Sequence, residues 1–263
     1  MSSSPSFKSP EFILVAAVIF MVILISISGM IAPPPPIPDP VLRSPAEYSI
    51  EEFVDSHAKL YSQFDEELMI RHFFDDEREG VYVDVGCAFP EHGSTTYFME
   101  MRLGWTGIGI DAVEAYSEHW KTARPRSKFI HTAVSDTSGE TVTFYQAKHP
   151  GLSSFDKDWG DQFGMEDPVP VEIETITLND LLEREKVEKI DLLSMDIEGA
   201  EPLALAGFDI ERFAPRLVCI EVNDNSESAP FINKYFKDHG YEQIEAYIPH
   251  DIANRYYRPK DAT

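Results

Sequence analysis

Cysteine is scarce in this 263-residue sequence, which contains only Cys87 and Cys219. Both fall in predicted strands, and the sheet predicted below does not place those two strands side by side. Because a disulfide needs its two Cα atoms within about 7 Å of each other, we do not expect one here. The cysteines therefore do not indicate the compartment in which the protein works.

Basic residues are also few. The chain has 22 Lys and Arg against 46 Asp and Glu, which gives a formal net charge of -24 and a pI near 4.6. Such a surface repels nucleic acid phosphates, and no stripe of basic residues interrupts it, so nucleic acid is not expected as a substrate or partner. With 43% hydrophobic residues, the chain is long enough for one well-buried domain with appendages.

Glycine is sparse where a phosphate-binding loop would need it. Residues 81–87 form an apolar strand that closes on Asp84 and Gly86, which is how nucleotide-type cofactor sites begin. The loop that follows, residues 86–93, lacks the three glycines that cradle a pyrophosphate. A dinucleotide or a nucleoside triphosphate is therefore a poorer match than a ligand without phosphates, and S-adenosyl-L-methionine fits.

Two later segments repeat the pattern of an apolar strand followed by an acid. Residues 107–111 end at Asp111, and residues 190–201 end in an acid cluster. Ligands bind beyond the carboxyl ends of parallel strands, where an acid can hold ribose hydroxyls. Asp111 follows Gly86 at a separation close to the roughly 20 residues typical of a ribose-binding acid. The sequence therefore predicts three parallel strands whose ends face one crevice.

Strand and helix patterns alternate from residue 81 onward, which predicts a parallel sheet with crossover helices. The predicted strands cover residues 81–85, 107–110, 128–134, 141–145, 190–195, 217–222 and 241–246. Helices are predicted near residues 94–103, 114–122 and 228–238, with a short one capped by Thr177 and Asp180.

One more helix is predicted ahead of the first strand, because Ser49 and Glu52 form a capping-box pattern. Apolar and aromatic residues recur on one face of this helix, namely Phe53, His57, Leu60, Tyr61, Phe64 and Leu68. Residues 146–170 show no clear periodicity, and a connection of that length is usually either functional or disordered. A lid over the substrate and a floppy surface loop both remain open for this segment.

The N-terminal region contains an uncharged apolar run over residues 12–32. As a helix it would span roughly 31 Å at about 1.5 Å per residue, which matches a bilayer core. A cleaved signal peptide is the alternative, but its apolar region has only about 7–15 residues, and Pro33 would hinder cleavage. Lys8 precedes the run and the first basic residue beyond it is Arg43, which favours a cytoplasmic N-terminus.

The prediction divides the chain into five parts: an N-terminal tail (1–11), a transmembrane anchor (12–32), a proline-rich spacer (33–47), a catalytic-type domain (48–250) and a C-terminal tail (251–263). The spacer prolines favour a stiff polyproline-type conformation, although a ligand for an SH3-like partner is an alternative. We expect a single-pass protein with its domain in a lumen, the Golgi or the endoplasmic reticulum if the cell is eukaryotic, or outside the cell.

Several short motifs follow one another between about Ser62 and Asn223, at residues 83–86, 94–96, 103–107, 133–136, 177–180, 195–201 and 220–221. Taken in this order, they resemble the FkbM-type methyltransferases, a family of S-adenosylmethionine-dependent O-methyltransferases. The most specific motif is the block Asp196-Ile-Glu-Gly-Ala-Glu201. Where many such enzymes carry a second glycine, this chain has Ala88-Phe89-Pro90. The resemblance implies a Rossmann-like α/β fold of the class I methyltransferase type, mostly parallel, with helices on both faces of the sheet.

The resemblance also implies roles for individual residues in binding the cofactor. Asp84 and Gly86 would position its amino acid part, Asp111 would hold its ribose, and residues 133–136 would border its adenine. The predicted cofactor-binding set is Asp84, Gly86, Cys87, Asp111, Ala133, Val134 and Asp136. For Cys87 and Ala133, simple packing explains the residue equally well.

The acid cluster supplies the candidates for catalysis. Methyl transfer from a sulfonium requires alignment of the acceptor oxygen, removal of its proton and exclusion of water. An acid beside a buried strand costs free energy unless it is paired with another group or takes part in the reaction. Asp196 and Glu198 are therefore the candidate general bases. Glu201 is interpreted as an acid in the first turn of the next helix. Asp196, Glu221 and Asn223 could present a magnesium-type site, but hydrogen-bonded acids are preferred and no metal is predicted.

The predicted function is that of a membrane-anchored methyltransferase that acts on a hydroxyl. A carbohydrate or glycoconjugate acceptor rests on the family resemblance and on the lumenal placement of the domain. The alternative is a membrane-tethered protein similar to insect Star, which uses a related domain in cargo trafficking without evident catalysis. Retention of Asp84, Gly86, Asp111 and Asp196 in one chain favours catalysis.

Overall fold

The computed structural model describes residues 44–148, 150–159 and 168–260. Within these residues the strands are β1 (Val81–Val85), β2 (Thr106–Asp111), β3 (Ser127–His131), β4 (Ala133–Val134), β5 (Thr141–Gln146), β6 (Val169–Ile176), β7 (Leu192–Met195), β8 (Leu217–Glu221), β9 (Tyr241–Gln243) and β10 (Asn254–Pro259). The helices are α1 (Ile50–Ser56), α2 (Glu66–Phe74), α3 (Tyr97–Leu103), α4 (Ser117–Ala123), α5 (Leu178–Arg184), α6 (Glu201–Ala206), α7 (Ile210–Phe213) and α8 (Ala229–Asp238). Short 3-10 turns cover Pro45–Glu47, Glu114–Tyr116, Pro150–Leu152 and Glu245–Tyr247.

The main sheet has seven strands in the order β3-β2-β1-β7-β8-β10-β9. Strand β1 pairs in parallel with β2 on one side and with β7 on the other. Strand β10 runs antiparallel to both of its neighbours, β8 and β9. The strand order reverses at β1, and in open α/β sheets ligands bind beyond the carboxyl ends of the strands at such a point. The prediction of a mostly parallel, Rossmann-like sheet is confirmed.

Alternation along the strands gives the sheet two apolar faces. Tyr82 and Leu192 face a layer that contains helices α1, α2 and α3. Their neighbours Val83 and Leu193 face the opposite layer, which contains α5, α6, α7 and α8. Each of these four side chains is 0% exposed, so both faces are covered, as is usual for a parallel sheet. The predicted arrangement with helices on both faces is confirmed.

A second, three-stranded sheet in the order β4-β6-β5 was not predicted. The predicted strand over residues 128–134 splits into β3 and β4, because β4 leaves the main sheet to pair with β6. Strand β5 pairs with β6 in antiparallel fashion and agrees closely with the predicted strand over 141–145. The signal for β6 was present in the sequence, since Val171 and Ile173 alternate with Glu172 and Glu174.

The single helix predicted over Phe53 to Leu68 is wrong, although its start is confirmed. Ser49 forms the predicted capping box with Glu52. Helix α1 then ends at Ser56, and α2 begins only at Glu66. Between them the backbone N–H groups of Leu60 and Tyr61 donate to the Glu67 carboxylate, at 3.2 and 3.0 Å. Tertiary contacts with a buried acid therefore replace the helical bonds that local periodicity predicts.

The domain continues past residue 250, where the sequence predicted its end. Strand β10 lies between β8 and β9, and its Tyr256 and Tyr257 are 1% and 2% exposed on opposite faces of the sheet. The Tyr256 hydroxyl donates to the buried Asp251 carboxylate at 2.6 Å. Residues 251–260 are therefore part of the fold, because β8 and β9 are joined only through β10 in this sheet.

No helix in the part of the chain that the structure describes is long and apolar enough to cross a bilayer. The predicted anchor (12–32) and most of the predicted spacer (33–47) lie outside the described residues. Both therefore stay predictions. The described part begins at residue 44, just before the turn at Pro45–Glu47.

Candidate active site

Gly86 lies at the point where β1, β2 and β7 converge. Its φ is +81°, and a Cβ built on it would lie 1.6 Å from the backbone oxygen of Asp196. Its N–H donates to the backbone oxygen of Ile110 at 2.8 Å. A side chain cannot fit at this position, so only glycine lets the loop after β1 pass this close to the end of β7. The geometry explains the glycine by contact with the end of β7, and its predicted role towards the cofactor stays a prediction.

Ala88 occupies the place where a second glycine was expected by comparison with the family. It has a φ of +40°, in a region that non-glycine residues rarely adopt. Its N–H donates to Asp111 Oδ2 at 2.9 Å, and its carbonyl oxygen accepts from Trp120 Nε1 at 2.8 Å. These two bonds hold the alanine in the left-handed conformation, so the loop keeps a glycine-like shape without the glycine.

Asp111 ends β2 and faces this loop. Its Oδ1 accepts from the Val113 N–H at 2.8 Å and its Oδ2 from the Ala88 N–H at 2.9 Å. Burial raises the pKa of Asp111 to about 6, although both backbone N–H groups act in the opposite direction. The carboxyl group is therefore mostly ionised at neutral pH. Because each carboxylate oxygen can accept two hydrogen bonds, both oxygens can also accept from a ligand hydroxyl.

Asp84 is buried beneath the same loop and is only 4% exposed. It accepts from Thr96 Oγ1 at 2.6 Å. Burial raises its pKa, while hydrogen bonds from Thr96 and Ser194 and the charge of Arg124 oppose this shift. Protein groups thus engage Asp84, and its carboxylate fixes the start of α3 relative to β1 and β7.

Arg124 was missed by sequence reasoning. The residue is 0% exposed and donates to Glu100 Oε2 at 2.8 Å, to the Tyr82 hydroxyl at 2.5 Å and to Thr96 Oγ1 at 2.9 Å. A fourth bond, to the backbone oxygen of Pro90 at 3.0 Å, ties it to the loop after β1. Nothing local predicts this burial, because an arginine just after a helix and before a proline is typical of the surface.

The other predicted cofactor-binding residues are distributed over two apolar clusters and the surface. Cys87 and Ala133 belong to the cluster that contains Trp120. Val134 packs in the core beneath the main sheet. Asp136 is exposed and lies beside Gly207, just after α6. None of the described side-chain hydrogen bonds of Asp136 reaches Asp84 or Asp111, and packing alone accounts for the burial of the other three side chains.

A cavity lies beside the loop that follows Asp111, and its lining includes none of the predicted residues 133–136. This cavity of about 320 Å³ is bounded by the loop after β2, the end of β3 and the β5–β6 hairpin. Ala112, His131, Gln146 and Ile173 contribute to its wall. One edge is fixed by a hydrogen bond between His131 Nε2 and the backbone oxygen of Ala112 at 3.0 Å.

Asp196 and Glu221 form a coupled acid pair at the carboxyl ends of β7 and β8. Asp196 is exposed to solvent, although many protein atoms surround its carboxyl group. Burial raises the pKa of Asp196 to about 6. The Asp196 charge, followed by burial, raises the pKa of Glu221 well above its ordinary value, and a hydrogen bond joins the two side chains. The two side chains are therefore expected to share one proton at neutral pH, and the larger upward shift falls on Glu221.

Glu198 differs from Asp196 in what it contacts. Its Oε2 accepts from Trp159 Nε1 at 2.6 Å, and its backbone oxygen accepts from Ser154 Oγ at 2.9 Å. Burial and then the Asp196 charge raise the pKa of Glu198 to about 9. The side chain is therefore protonated at neutral pH. Ser154 and Trp159 belong to the segment 146–170. The described part of this segment therefore contacts residues 196–200, which connect β7 to α6 and are called the acid loop below.

Glu201 begins α6, as predicted for an acid in the first turn. Its Oε1 accepts from the Ile197 N–H at 2.9 Å, so it closes the acid loop on itself. Oxygens of Asp196, Glu201 and Glu221 all lie within 4.8 Å of one another, a spacing that is compatible with a divalent cation. Asn223, which was considered from the sequence for such a site although no metal was predicted, is not in this group, and its Oδ1 accepts from the Asn225 N–H at 3.0 Å.

A comparison with protein families identifies this architecture. The model of the methyltransferase FkbM domain matches residues 84–242, which begin at Asp84 in β1 and end within β9. The chain belongs to the FkbM methyltransferase family. The match contains Gly86, Asp111, Arg124 and the Asp196–Glu221 pair, whereas Tyr82, one partner of Arg124, lies just before it.

Solved structures with a similar fold are distant from this FkbM-family chain. A TehB-like SAM-dependent methyltransferase from Corynebacterium glutamicum has 12% identity and a TM-score of 0.42, over 80% of this chain and 94% of that chain. A precorrin-6y C5,15-methyltransferase from Geobacter metallireducens has 10% identity and a TM-score of 0.38, over 82% and 97%. YjhP from E. coli has 14% identity and a TM-score of 0.35, over 75% and 74%. No curated protein sequence matches this chain.

Proposed function

We propose that this FkbM-family protein binds S-adenosyl-L-methionine and transfers its methyl group to a hydroxyl of a small-molecule acceptor. The main support for this proposal is the position of Asp111 at the end of β2, beside the loop after β1. Its ionised carboxylate retains accepting capacity on both oxygens and lies across the loop from Gly86. This arrangement suits the two hydroxyls of a ribose.

Each group in the crevice has a defined task in this proposal. Asp111 accepts from the ribose hydroxyls, and Gly86 lets the backbone approach the amino acid part of the cofactor. The cofactor supplies the electrophilic methyl group. Asp196 would accept the proton of the acceptor hydroxyl as the new carbon–oxygen bond forms and the sulfur–methyl bond breaks, which leaves a neutral thioether, because its pKa is the lower of the pair. Glu221 keeps its own proton and holds Asp196 in place through their hydrogen bond.

Glu198 does not suit the role of base that the sequence also allowed. A base must be unprotonated at the working pH, whereas burial raises the pKa of Glu198 to about 9. Its Oε2 is also engaged by Trp159. We assign Glu198 instead to holding the segment around Trp159 against the acid loop.

A carbohydrate or glycoconjugate acceptor is supported only by the family resemblance and the predicted lumenal placement of the domain. The alternative function, cargo binding by a Star-like protein without catalysis, predicts that the site does not bind the cofactor. Calorimetric titration of the full chain with S-adenosyl-L-methionine separates the two. Saturable binding at one site per chain is expected, and no binding would overturn the proposed function.

Replacement of Asp111 with Ala is expected to weaken cofactor binding by about 10- to 150-fold. The change removes a charged acceptor from the ribose hydroxyls, a loss of about 1.5–3 kcal/mol. The measurement is the dissociation constant in the same titration.

The matched control for this variant is Asp209→Ala. Asp209 also accepts a backbone N–H, from Arg212 at 3.1 Å, but it caps the start of α7, and its described hydrogen bonds do not involve Asp111 or the loop after β1. The control removes a comparable local bond and should leave the affinity within about 2-fold. Equal affinities for Asp111→Ala and wild type would refute the assignment of Asp111.

We also propose that residues 12–32 anchor the domain to a bilayer through the proline-rich spacer. Deletion of residues 1–32 is expected to move the protein from the membrane fraction to the aqueous fraction, because the apolar run is removed. Cofactor affinity should stay within about 2-fold of that of the full chain. A full chain that remains in the aqueous fraction without detergent would contradict the anchor.

A further inference from the structure

Tyr116 carries a hydroxyl for which the fold provides no partner. The residue ends the 3-10 turn after Asp111, is 6% exposed and packs with Cys87 and Val113. Its Oη is buried and forms no hydrogen bond with any residue that the structure describes. Buried polar groups are nearly always hydrogen-bonded, because an unpaired one loses its bonds to water without replacement.

Other buried tyrosines of this fold follow that rule. The Tyr241 hydroxyl donates to the backbone oxygen of Pro215 at 2.8 Å. The Tyr256 hydroxyl donates to Asp251 at 2.6 Å. Tyr116 is thus an exception, and it lies next to the candidate cofactor site. An exception at that place points to a partner outside the chain.

The surroundings of the Tyr116 hydroxyl indicate what this partner is. Tyr116 ends the turn that follows Asp111, and its side chain packs in one cluster with Cys87 of the loop after β1. After burial, the charge of Asp111 also raises the pKa of Tyr116. The ring of Phe89 packs edge-on against that of Tyr116, with their centroids 5.1 Å apart, and Phe89 is 40% exposed. The hydroxyl therefore lies between the end of β2 and the loop after β1, beside the carboxylate that faces the ligand.

We propose that Tyr116 is a cofactor-binding residue whose hydroxyl donates a hydrogen bond to a ribose oxygen of the ligand held by Asp111. The inference rests on the proposed function and extends it to a residue that no motif indicated. The two side chains are complementary. An ionised Asp111 only accepts, from the ribose O–H groups, whereas the tyrosine hydroxyl can donate to an oxygen of the same hydroxyls. Together they select a ribonucleoside over a deoxyribonucleoside.

Tyr116→Phe in the full chain tests the proposal, because it removes the hydroxyl alone. The affinity for S-adenosyl-L-methionine is expected to fall about 2- to 12-fold, the value of one neutral hydrogen bond. The melting temperature of the unliganded protein should stay the same or rise, since an unpaired buried hydroxyl is lost. This combination separates a ligand contact from a structural bond.

Tyr241→Phe is the matched control, because the Tyr241 hydroxyl already has a protein partner at the far end of the sheet order. It should lower the melting temperature of the unliganded protein and leave the affinity unchanged. Titration with the 2′-deoxy and 3′-deoxy forms of S-adenosylhomocysteine then identifies the ribose oxygen. Loss of the partner hydroxyl should weaken binding to the wild type more than binding to Tyr116→Phe.

Three results would overturn the inference while the wild type still binds the cofactor. They are an unchanged affinity of Tyr116→Phe, a lower melting temperature or loss of folding of its unliganded form, and equal losses for wild type and variant with both deoxy ligands. A wild type that binds neither S-adenosyl-L-methionine nor S-adenosylhomocysteine would instead refute the proposed function, and this inference with it.

Discussion

Asp196→Asn is expected to lower turnover by about 10²- to 10⁴-fold with little change in cofactor affinity. Asparagine keeps the shape of the side chain but cannot accept the proton of the acceptor hydroxyl. The Glu221 hydrogen bond can persist, because the amide oxygen of asparagine accepts as the carboxylate does. The measurements are single-turnover methyl transfer to an accepted hydroxyl substrate and calorimetric titration of the cofactor.

The matched control is Glu198→Gln. Burial raises the pKa of Glu198 to about 9, so its side chain is protonated at neutral pH and glutamine resembles that state. Its amide oxygen can still accept from Trp159. Turnover of this variant should stay within about 3-fold of wild type. A large loss for Glu198→Gln together with normal turnover for Asp196→Asn would transfer the role of base to Glu198.

The pH dependence of wild-type activity tests the role of Asp196 independently of the variants. A base must be ionised to work, and burial raises the pKa of Asp196 to about 6. The ratio kcat/KM should therefore be constant above about pH 7 and fall as the pH decreases through about 6. Because Asp196 and Glu221 are coupled, the apparent pKa belongs to the pair.

A chelator distinguishes a free base from a metal-bound one. Oxygens of Asp196, Glu201 and Glu221 lie close enough together to bind a cation, but the backbone N–H of Ile197 already donates to Glu201. We expect turnover to be unaffected by a chelator. Activity that disappears with chelator and returns with magnesium would assign these acids to a metal site and leave the methyltransferase proposal intact.

Arg124→Met is expected to destabilise the domain by about 3–5 kcal/mol, a large part of the total stability of a typical domain. The substitution keeps much of the side-chain volume but leaves the Glu100 carboxylate, whose side chain is 0% exposed, without its charged partner. Burial would raise the pKa of Glu100, yet hydrogen bonds from Ser127 and Arg124 outweigh it and lower the pKa. Equilibrium unfolding in urea at pH 7 measures the loss.

Arg126→Met is the control for removing a positive charge nearby. Arg126 is exposed, and its guanidinium donates to the backbone oxygen of Gly104 at 2.7 Å. Its backbone N–H, which donates to Glu100, is unchanged by the substitution. The stability of this variant should lie within about 0.5 kcal/mol of wild type. Equal stabilities for Arg124→Met and Arg126→Met would show that the buried network does not stabilise the fold.

Folded Arg124→Met should also bind the cofactor more weakly. Arg124 donates to Thr96, which in turn donates to Asp84, and it also donates to the backbone oxygen of Pro90. The variant therefore loses the hydrogen bonds that hold the loop after β1 at Pro90 and at Thr96, and this loop borders the proposed cofactor site.

Strands β1, β2 and β7 and their terminal acids were predictable from the sequence, because each is a local apolar run that ends in a polar residue. Strand β1 was predicted at its observed bounds, and Gly86 and Asp111 lie at the ends of neighbouring strands as expected. Helix α8 differs from its prediction by one residue. The order of short motifs along the chain also indicated the family, and the family match over residues 84–242 confirms this prediction.

Other features depend on residues that are far apart in the chain. Strand β10 is recognisable only when β8 and β9 are seen to flank it. Arg124 is buried because Tyr82 of β1, Glu100 of α3 and Thr96, which precedes α3, converge on it. Local periodicity contains no information about such partners. It also does not show that the Glu67 carboxylate accepts from the backbone of the loop just before α2, and for that reason it predicted one long helix there.

The fold class, the family resemblance and the acids that follow β2 and β7 were predictable from the sequence, because they follow from patterns within about ten residues along the chain. The protonation state of each acid depends on contacts that exist only in the folded domain. Asp196 is separated from Glu221 in the chain, and their proton sharing arises because β7 and β8 are adjacent. Protonation depends on burial and on charges brought close by folding, and so does the isolation of the Tyr116 hydroxyl.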